Sequence, residues 1–243
     1  MAEGRAPTRS ARKLHVGTSG FSYKEWKGPF YPEDLPNKDM LRYYAERLPS
    51  VEINNTFYRM PKAEVLGSWA AQVPAGFCFA IKASRRITHI KRLKDPAEEL
   101  EFLLGNLAAL GDKLGVVLFQ LPPNLKKDVP RLERFLALLA ARVPAAFEFR
   151  HASWEDDAVA ACLASAGAAW VASETDETPE PTLRTTAPFA YLRLRRSDYT
   201  RAQLEAWAAR LAQQDLREAF VFFKHEDEGM GPRLAGEFLE LAG

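Results

Sequence analysis

Residues 146–150 have the sequence AFEFR and residues 115–121 have the sequence GVVLFQL, and these two short runs decide the fold class. In the first, Phe147 and Phe149 alternate with Glu148 and Arg150. Successive side chains of a β-strand point to opposite faces of the sheet. Each run is therefore predicted to be a strand with one apolar face and one face that carries a polar group at its carboxyl end.

Six further runs of this kind occur along the chain, separated by longer amphipathic segments. The eight predicted strands are residues 15–19, 51–58, 77–83, 115–121, 146–150, 169–173, 189–195 and 219–225. Strands that alternate with helices pair in parallel through crossover connections. The sequence therefore predicts an α/β fold, a single (β/α)8 TIM barrel, and the length of 243 residues suits one such barrel.

Residues 174–188 differ from the other connections because they lack apolar periodicity, so the sixth crossover is predicted to be an irregular loop. The alternative fold is an open doubly wound sheet. That fold places a glycine-rich turn after its first strand, but the turn at residues 17–22, GTSGFS, has the wrong glycine spacing. The barrel is the preferred fold.

Local signals mark the start of several helices. Asn37 is a predicted N-cap, and a helix is predicted to begin at Asp95-Pro96. Thr200 and Gln203 have the spacing of a capping box, and a further helix is predicted to begin near residues 156–157.

The composition excludes several classes of protein. The chain has 33 Lys plus Arg against 32 Asp plus Glu, a formal charge of +1, so it is not a globally basic nucleic-acid binder. Its two cysteines are too few for a disulfide framework and fit a reducing, cytoplasmic compartment. Apolar runs are too short for a membrane span. Residues 1–13 are predicted to be a disordered basic tail, followed by one barrel domain over residues 14–243.

The alternation of side chains predicts a polar site inside the barrel. The face of each strand that helices cover must be apolar, so the opposite, polar face must line the lumen. The polar residues assigned to it are Glu52, Lys82, Gln120, Glu148, Arg150, Arg193 and Lys224. Most lie towards the carboxyl ends of their strands, where TIM barrels carry their active sites. The structural alternative is a salt-bridge network that plugs the lumen of a non-enzymatic barrel.

The charges of this set indicate the kind of ligand. Cations outnumber the two carboxylates, with Arg195 as a further candidate at the rim, which favours an anionic small molecule carrying phosphate or carboxylate. Glu148, Glu52 and Lys82 are the candidate catalytic residues of a hydrolase or lyase, with Glu148 beside Arg150 as general acid or base. Lys82 or Lys224, near other cations, is a candidate for Schiff-base chemistry.

Residues 82–94 suggest nucleic acid as an alternative partner. This segment, KASRRITHIKRLK, carries six Lys or Arg and His89 before the first acidic residue. It could clamp a phosphate backbone, with aromatic residues after the strands stacking on bases, or it could be a solvated loop.

A further alternative is a glycosidase with Glu52 and Glu148 as its carboxylate pair. His89, His151 and His225 lack metal-binding spacing, so the sequence predicts no metal site and implies no cofactor.

Six motifs follow one another in an order that resembles a known family. They are GTSGFSYKEWKGPFYPEDLP, VEINNTFYRMP, FAIKASRRITH, LFQLPP, EFRHASW and FFKHEDEGMGPRLA. Together they resemble the YecE-like proteins, domain-of-unknown-function family 72, over roughly residues 14–241. The resemblance implies a single TIM-barrel domain, similar to endonuclease-IV-like and xylose-isomerase-like barrels, without an assigned biochemical role.

The resemblance also implies site positions, which agree with the lumen set. The positions matched by motif are Gly17, Ser19, Glu52, Asn54, Thr56, Phe57, Tyr58, Lys82, His89, Gln120, Glu148, Arg150, His151, Trp154 and Arg193. The predicted ligand-binding residues are Arg150, Arg193, Asn54, Tyr58, His89, Gln120, His151, Trp154, Ser19 and Lys224. The last strand departs from the family pattern at Lys224 and His225, so the family pattern does not support a shared role for them. The metal ligands of endonuclease-IV-like barrels are not carried over.

Overall fold

A computed structural model describes residues 12–225 and 228–243, and in it eight parallel strands close into a barrel in chain order. The strands are β1 (Lys13–Ser19), β2 (Ser50–Ile53), β3 (Cys78–Lys82), β4 (Leu114–Gln120), β5 (Ala145–Glu148), β6 (Ala169–Glu174), β7 (Phe189–Leu194) and β8 (Glu218–Phe223). β1 pairs with both β2 and β8, which closes the sheet. The predicted TIM barrel is confirmed.

Seven α-helices surround the barrel in the described part of the chain. They are α1 (Met40–Ala45), α2 (Ala63–Gln72), α3 (Ala97–Leu107), α4 (Val129–Leu139), α5 (Asp157–Ser165), α6 (Arg201–Ala212) and α7 (Met230–Ala242). The capping box of Thr200 and Gln203 begins α6 as predicted. Asp156 caps α5 through a hydrogen bond from the backbone N–H of Ala158.

Other predicted boundaries were wrong by a few residues. Asn37 begins a short 3₁₀ turn that leads into α1, whose N-cap is Asp39. Pro96 precedes α3 as its N-cap and is not its first helical residue. Lys13 already belongs to β1, so the strand begins inside the predicted tail. Residues 1–11 of that tail lie outside the described residues.

Three strands end two or more residues earlier than predicted, and each of these early ends changes the position of a candidate site residue. β2 stops at Ile53, and residues 55–57 form a 3₁₀ turn because the backbone leaves the sheet at Asn54. β5 stops at Glu148 and β8 at Phe223. Asn54, Arg150 and Lys224 therefore lie on the rim, just beyond their strands.

The barrel has two separate apolar cores, one on each side of its wall. The outer core lies between the strands and the helices. The inner core fills the lumen and consists of Cys78, Ala80, Val116, Leu118, Ala146, Ala169, Val171, Ala187, Phe189, Tyr191, Phe220 and Phe222. The inner set matches the predicted face at Cys78 and Ala80, and it leaves the polar residues in a layer at the carboxyl ends of the strands.

The sixth crossover, residues 175–188, forms neither helix nor strand, as predicted. It is held by hydrogen bonds to buried side chains instead of by helix packing. Glu174 accepts hydrogen bonds from the indole Nε1 of Trp207 at 2.8 Å and from the backbone N–H of Glu180 at 3.1 Å. Thr186 donates to the carbonyl oxygen of Ala168 at 2.8 Å.

We predict that the barrel requires glycine at position 17. A Cβ added there would lie 1.8 Å from the carbonyl oxygen of Ser50 and 2.7 Å from the Tyr44 hydroxyl, so Gly17→Ala forces β1 and β2 apart. The expected loss of unfolding free energy is about 1–3 kcal/mol, measured by urea denaturation. Gly105→Ala is the control, because Gly105 is exposed in α3 and its added Cβ meets nothing within 4 Å. It should raise stability by about 0.5–1 kcal/mol. Equal effects of the two variants would contradict the close approach at Gly17.

Candidate functional site

Arg193, on β7, lies at the centre of the polar layer and contacts four residues that come from β2, β4 and β5 or from the end of β2. Its Nη2 donates to Glu52 Oε1 at 2.8 Å, and its Nη1 donates to Glu148 Oε2 at 2.6 Å. The same two nitrogens reach Asn54 Oδ1 at 3.4 Å and Gln120 Oε1 at 3.2 Å. The Arg193 side chain is only 3% exposed. A planar guanidinium suits this bridging of two carboxylates.

Glu52 is fully buried and accepts four hydrogen bonds. Besides Arg193, the donors are Ser19 Oγ at 2.7 Å, Asn54 Nδ2 at 2.8 Å and the Tyr191 hydroxyl at 2.6 Å. Burial alone would raise the pKa of Glu52, but the charge and hydrogen bonds of Arg193, with those of Tyr191 and Ser19, lower it. Glu52 is therefore ionised at neutral pH.

Glu148 is surrounded by three arginines. Arg193 binds one carboxylate oxygen, while Arg150 Nε and Arg195 Nη2 each donate to the other at 3.1 Å. Burial would raise the pKa of Glu148, but Arg193, Arg195 and Arg150 outweigh it and lower the pKa to about 2. This carboxylate is a weak proton acceptor at neutral pH, so its environment does not favour the general acid or base role expected for it.

Lys82 differs from the other cations of the site because it lacks a close counter-ion. Among the described residues no carboxylate lies within 4.0 Å of Nζ, which instead lies 4.4 Å from the centroid of the Phe57 ring. Burial, the charge of Arg193 and that of Arg150 lower the pKa of Lys82 to about 8, although Glu52 and Glu148 act in the opposite direction. Near neutral pH, Lys82 is therefore a neutral amine in a fraction of the protein molecules.

His89 lies against the other side of this region. Its ring packs edge-on against Phe57 with a centroid separation of 4.8 Å, and its Nδ1 is 2.9 Å from Thr88 Oγ1. Partial burial lowers the pKa of His89, and so do the charges of Lys82 and Arg150. His89 is therefore neutral at pH 7 and can both accept and donate a proton.

A cavity of about 610 Å³ opens beside this polar layer, at the ends of β6, β7 and β8. Its lining includes Thr175, Arg195, Arg196, Ser197, Lys224 and His225, with Asp176 and Glu177 at one side. Asp176 pairs with Arg196 at 3.6 Å. Lys224 is exposed there. Arg195 connects this cavity to Glu148.

Several predicted ligand-binding residues have structural surroundings that explain their presence without a ligand. Trp154 is buried, donates from Nε1 to the Leu125 carbonyl at 2.7 Å and stacks on Phe149. His151 accepts from the backbone N–H of Ser153 at 3.1 Å and caps a short turn. Tyr58 is 75% exposed and lines an outer groove. Their ligand-binding roles stay predictions.

The bridge formed by Arg193 also bears on the alternative chemistries. A glycosidase needs open space between its carboxyl groups and needs one of them protonated. Here the guanidinium lies between Glu52 and Glu148, and both are held ionised. Within residues 12–225 and 228–243, no group of three His, Cys, Asp or Glu side chains is arranged to hold a metal ion.

Two residues that bind the polar layer, Tyr191 and Ser173, were not among the predicted site residues. Tyr191 supplies the shortest hydrogen bond to Glu52, and Ser173 accepts one from Arg195 Nη2. Tyr191 lies two residues before Arg193 on β7 and so shares its face, which is a signal that was available. Ser173 lies on β6, whose run of small and apolar residues gave no polar face.

The family model described as "Protein of unknown function DUF72" matches residues 15–243. The chain belongs to this family. The predicted membership in the YecE-like group is thereby confirmed.

The chain resembles two bacterial family proteins in sequence over part of its length. It is 27% identical to the UPF0759 protein YunF of Bacillus subtilis over 149 residues, which is 58% of this chain and 52% of YunF. It is 30% identical to the UPF0759 protein YecE of Escherichia coli K12 over 112 residues, which is 46% of this chain and 41% of YecE. The matched region thus spans about half of these curated relatives.

Crystal structures of family members share the fold over nearly the whole chain. A DUF72 family protein from Thermotoga maritima superposes with a TM-score of 0.83 at 26% identity, covering 95% of this chain and 99% of that one. A DUF72 family protein from Enterococcus faecalis gives a TM-score of 0.79 at 19% identity, covering 94% and 95%. None of the helices in the described ranges is both long and apolar enough to cross a bilayer.

We predict that Arg193 is required to stabilise the buried carboxylates. Arg193→Met leaves Glu52 and Glu148 buried without their shared counter-ion, which should cost about 3–5 kcal/mol of unfolding free energy in urea at pH 7. Arg201→Met is the control, because Arg201 forms an exposed pair with Glu205 and should cost at most about 1 kcal/mol. Similar losses in both variants would contradict the central role of Arg193.

The pH dependence of this variant should have the opposite sign from that of the wild type. In the wild type the pKa values of Glu52 and Glu148 are lowered, so their contribution is present above pH 4.5 and is lost as the pH falls towards 2. Without Arg193, burial raises the pKa of Glu52, whereas Arg150 and Arg195 still bind Glu148, so the variant should become more stable as Glu52 takes up a proton between pH 7 and 5. Adding Glu52→Gln to Arg193→Met should restore part of the stability at pH 7.

We also predict that Lys82 reacts as an amine at unusually low pH. In competitive acetylation with peptide mapping, the reactivity of Lys82 should rise with a midpoint near pH 8, below the ordinary lysine value of 10.5. Arg150→Ala should move the midpoint upward, since it removes a like charge. Glu148→Gln should move it downward, because it removes an opposite charge. A midpoint near 10.5 in the wild type would contradict the electrostatic environment described for Lys82.

Proposed function

We propose that this protein is an enzyme of the hydrolase or lyase type that acts on a small anionic molecule at the carboxyl-terminal mouth of its barrel. The observation that carries the proposal is the charge of the polar layer, in which four cations accompany only two carboxylates. The cations are Lys82, Arg150, Arg193 and Arg195, and the carboxylates are Glu52 and Glu148. Arg193 and its two carboxylate partners together carry a net charge of −1, so the excess positive charge of the layer comes from Lys82, Arg150 and Arg195, which lie nearer the rim.

Arg150 and Arg195 are the residues best suited to hold the anionic group. Both use one nitrogen to bind the same oxygen of Glu148, and the Arg150 side chain is 36% exposed. Arg195 also lines the cavity at the ends of β6 to β8. The loops after the seventh and eighth strands are where TIM barrels frequently bind phosphate. An anion between the two arginines would be fixed by charge-assisted hydrogen bonds.

Lys82 is the group best suited to the chemical step. A general base or nucleophile works best when its pKa lies close to the working pH. The pKa of Lys82, about 8, meets this condition, and that of Glu148, about 2, does not. In this proposal Glu52 and Glu148 orient the arginines and offset their charge, while Lys82 transfers a proton or attacks the substrate. His89 supports the proposal as a second neutral proton carrier near the Phe57 ring.

Nucleic acid is the less favoured ligand. The basic segment forms a short helical turn at Arg86–Ile90, and exposed Arg86 could contact phosphate. Its charge is opposed locally, because Lys91 pairs with Glu99 at 2.8 Å. Glu98 and Glu99 also line the same groove as Arg86. The pairing of cations with acids in this segment supports a small-molecule ligand at the mouth over an extended polyanion along the groove.

We predict that small anions stabilise the protein through Arg150 and Arg195. Inorganic phosphate and a panel of phosphate esters and carboxylic acids should raise the melting temperature in proportion to RT ln(1 + [L]/Kd). The increase should disappear in Arg150→Ala and in Arg195→Ala. It should persist in Arg142→Ala, since Arg142 forms an exposed pair with Glu101. A compound found in this way is then followed by NMR, and Lys82→Met should bind it without converting it.

Two results would contradict the proposal. The first is an absence of stabilisation by any anion of the panel at constant ionic strength. The second is a stabilisation of equal size in the wild type, Arg150→Ala and Arg195→Ala, which would mean that anions act away from the mouth.

A further inference from the structure

The position of Lys82 fits a more specific role than proton transfer. Lys82 is the last residue of β3, so its side chain lies at the carboxyl-terminal edge of the lumen. Its backbone is fixed, because Thr56 Oγ1 donates to the Lys82 carbonyl oxygen at 2.7 Å. The amine is half-buried and rests against an aromatic ring instead of an anion. A lysine that forms a structural ion pair would have a carboxylate within about 4 Å.

Several charged groups surround the Lys82 amine, but among the described residues no carboxylate forms an ion pair with it. The charged groups that act on it are Arg193, Glu52, Glu148 and Arg150. Both carboxylates are already saturated by arginines and by neutral donors. The amine of Lys82 is therefore kept available in a site where every other buried charge is paired. This arrangement is unfavourable for stability, which points to a chemical use.

We propose that Lys82 forms an imine with the carbonyl carbon of a substrate that carries a carboxylate or phosphate group, such as a 2-oxo acid or a phosphorylated aldehyde. The inference rests on the proposed function, because it takes the anionic group to be held by Arg150 and Arg195. It deepens that function by naming the carbonyl as the reacting group and Lys82 Nζ as the atom bonded to it.

The step balances without an oxidant or a cofactor. The Lys82 ammonium first releases a proton. Neutral Nζ then adds to the carbonyl carbon, and the proton that the nitrogen loses is taken up by the oxygen to give a carbinolamine. The hydroxyl leaves as water after it takes up the proton that the ammonium released, and the nitrogen lone pair forms the C=N bond of a protonated imine. Overall, ammonium and carbonyl give iminium and water. His89, which lies against the same Phe57 ring as Lys82, is the residue placed to carry these protons.

An iminium stabilises negative charge on the neighbouring carbon, which is the chemistry that a lyase needs to break a bond there. The surrounding cations agree with this, since they favour an anionic substrate and an electron-rich intermediate. Arg193 also keeps both carboxylates ionised, so that they cannot protonate the amine at neutral pH.

The experiment traps the imine by reduction. The intact protein is incubated with pyruvate and sodium cyanoborohydride at pH 7.5, and peptide mapping by mass spectrometry locates the reduced adduct. Glycolaldehyde phosphate is the second probe. Labelling of Lys82 should be roughly tenfold or more faster than that of Lys38, because a bound carbonyl has a high effective concentration at the amine. Lys38 lies in an exposed turn outside the barrel.

The controls separate anion-directed imine formation from general lysine reactivity. Acetone and glycolaldehyde lack the anionic group of the two probes and should label Lys82 much more slowly. Inorganic phosphate should protect Lys82 from pyruvate. Lys82→Arg should abolish the adduct, whereas Lys38→Arg should leave it unchanged. If Lys82→Arg fails to fold, phosphate protection in the wild type still tests the site of labelling.

The outcomes also separate this inference from the proposed function. If phosphate raises the melting temperature through Arg150 and Arg195 but Lys82 is labelled no faster than Lys38, the imine is excluded and anion binding stands. If acetone labels Lys82 as fast as pyruvate does, an anion-directed carbonyl site is excluded. If neither stabilisation nor preferential labelling occurs, both proposals fail. Preferential labelling that phosphate prevents supports both.

Discussion

The structure depends on one buried guanidinium. Arg193 lies inside a barrel whose lower lumen is filled by aromatic and aliphatic side chains, and it is only 3% exposed. A charge in that position is tolerated because Glu52 and Glu148 each bind one of its terminal nitrogens. The two carboxylates come from β2 and β5, on different sides of the barrel, so this contact fixes how the strands are arranged at the mouth.

The same contact decides which residues can do chemistry. Carboxylates bound by arginine are easily ionised and hard to protonate, so Glu52 and Glu148 lose the proton-transfer roles that such residues often have in barrels. The remaining cations are then no longer fully neutralised. Burial of Lys82, together with this excess of positive charge, lowers its pKa. Under the proposed function, the lysine is the reactive group of the site, and the acids act by positioning the arginines.

Sequence reasoning predicted the barrel and most of its polar layer, since alternation along a strand is a local property. Glu52, Lys82, Gln120, Glu148 and Arg193 follow from it directly. It failed where a strand ends, because a strand's end is set by pairing with its neighbours and not by its own composition. Val51–Tyr58 continues as a β-rich run past Ile53, but the backbone turns there and Tyr58 leaves the mouth.

The chemical roles of the site residues were harder to predict than their positions, because the roles also depend on contacts between strands. The pKa of a carboxylate depends on the residues that reach it from other strands, and those contacts join Glu148 to residues 45 and 47 positions away. Nothing in the sequence near Glu148 distinguishes a carboxylate with one arginine from a carboxylate with three. Lys82 illustrates the reverse case. The segment that follows it in sequence is cationic. What distinguishes Lys82 is that it has no carboxylate partner in the described structure. The two acids that could pair with it, Glu52 and Glu148, are already bound to arginine. A free amine in a fully paired network is thus a property of the closed barrel, and it supports a chemical role for Lys82 more strongly than any motif does.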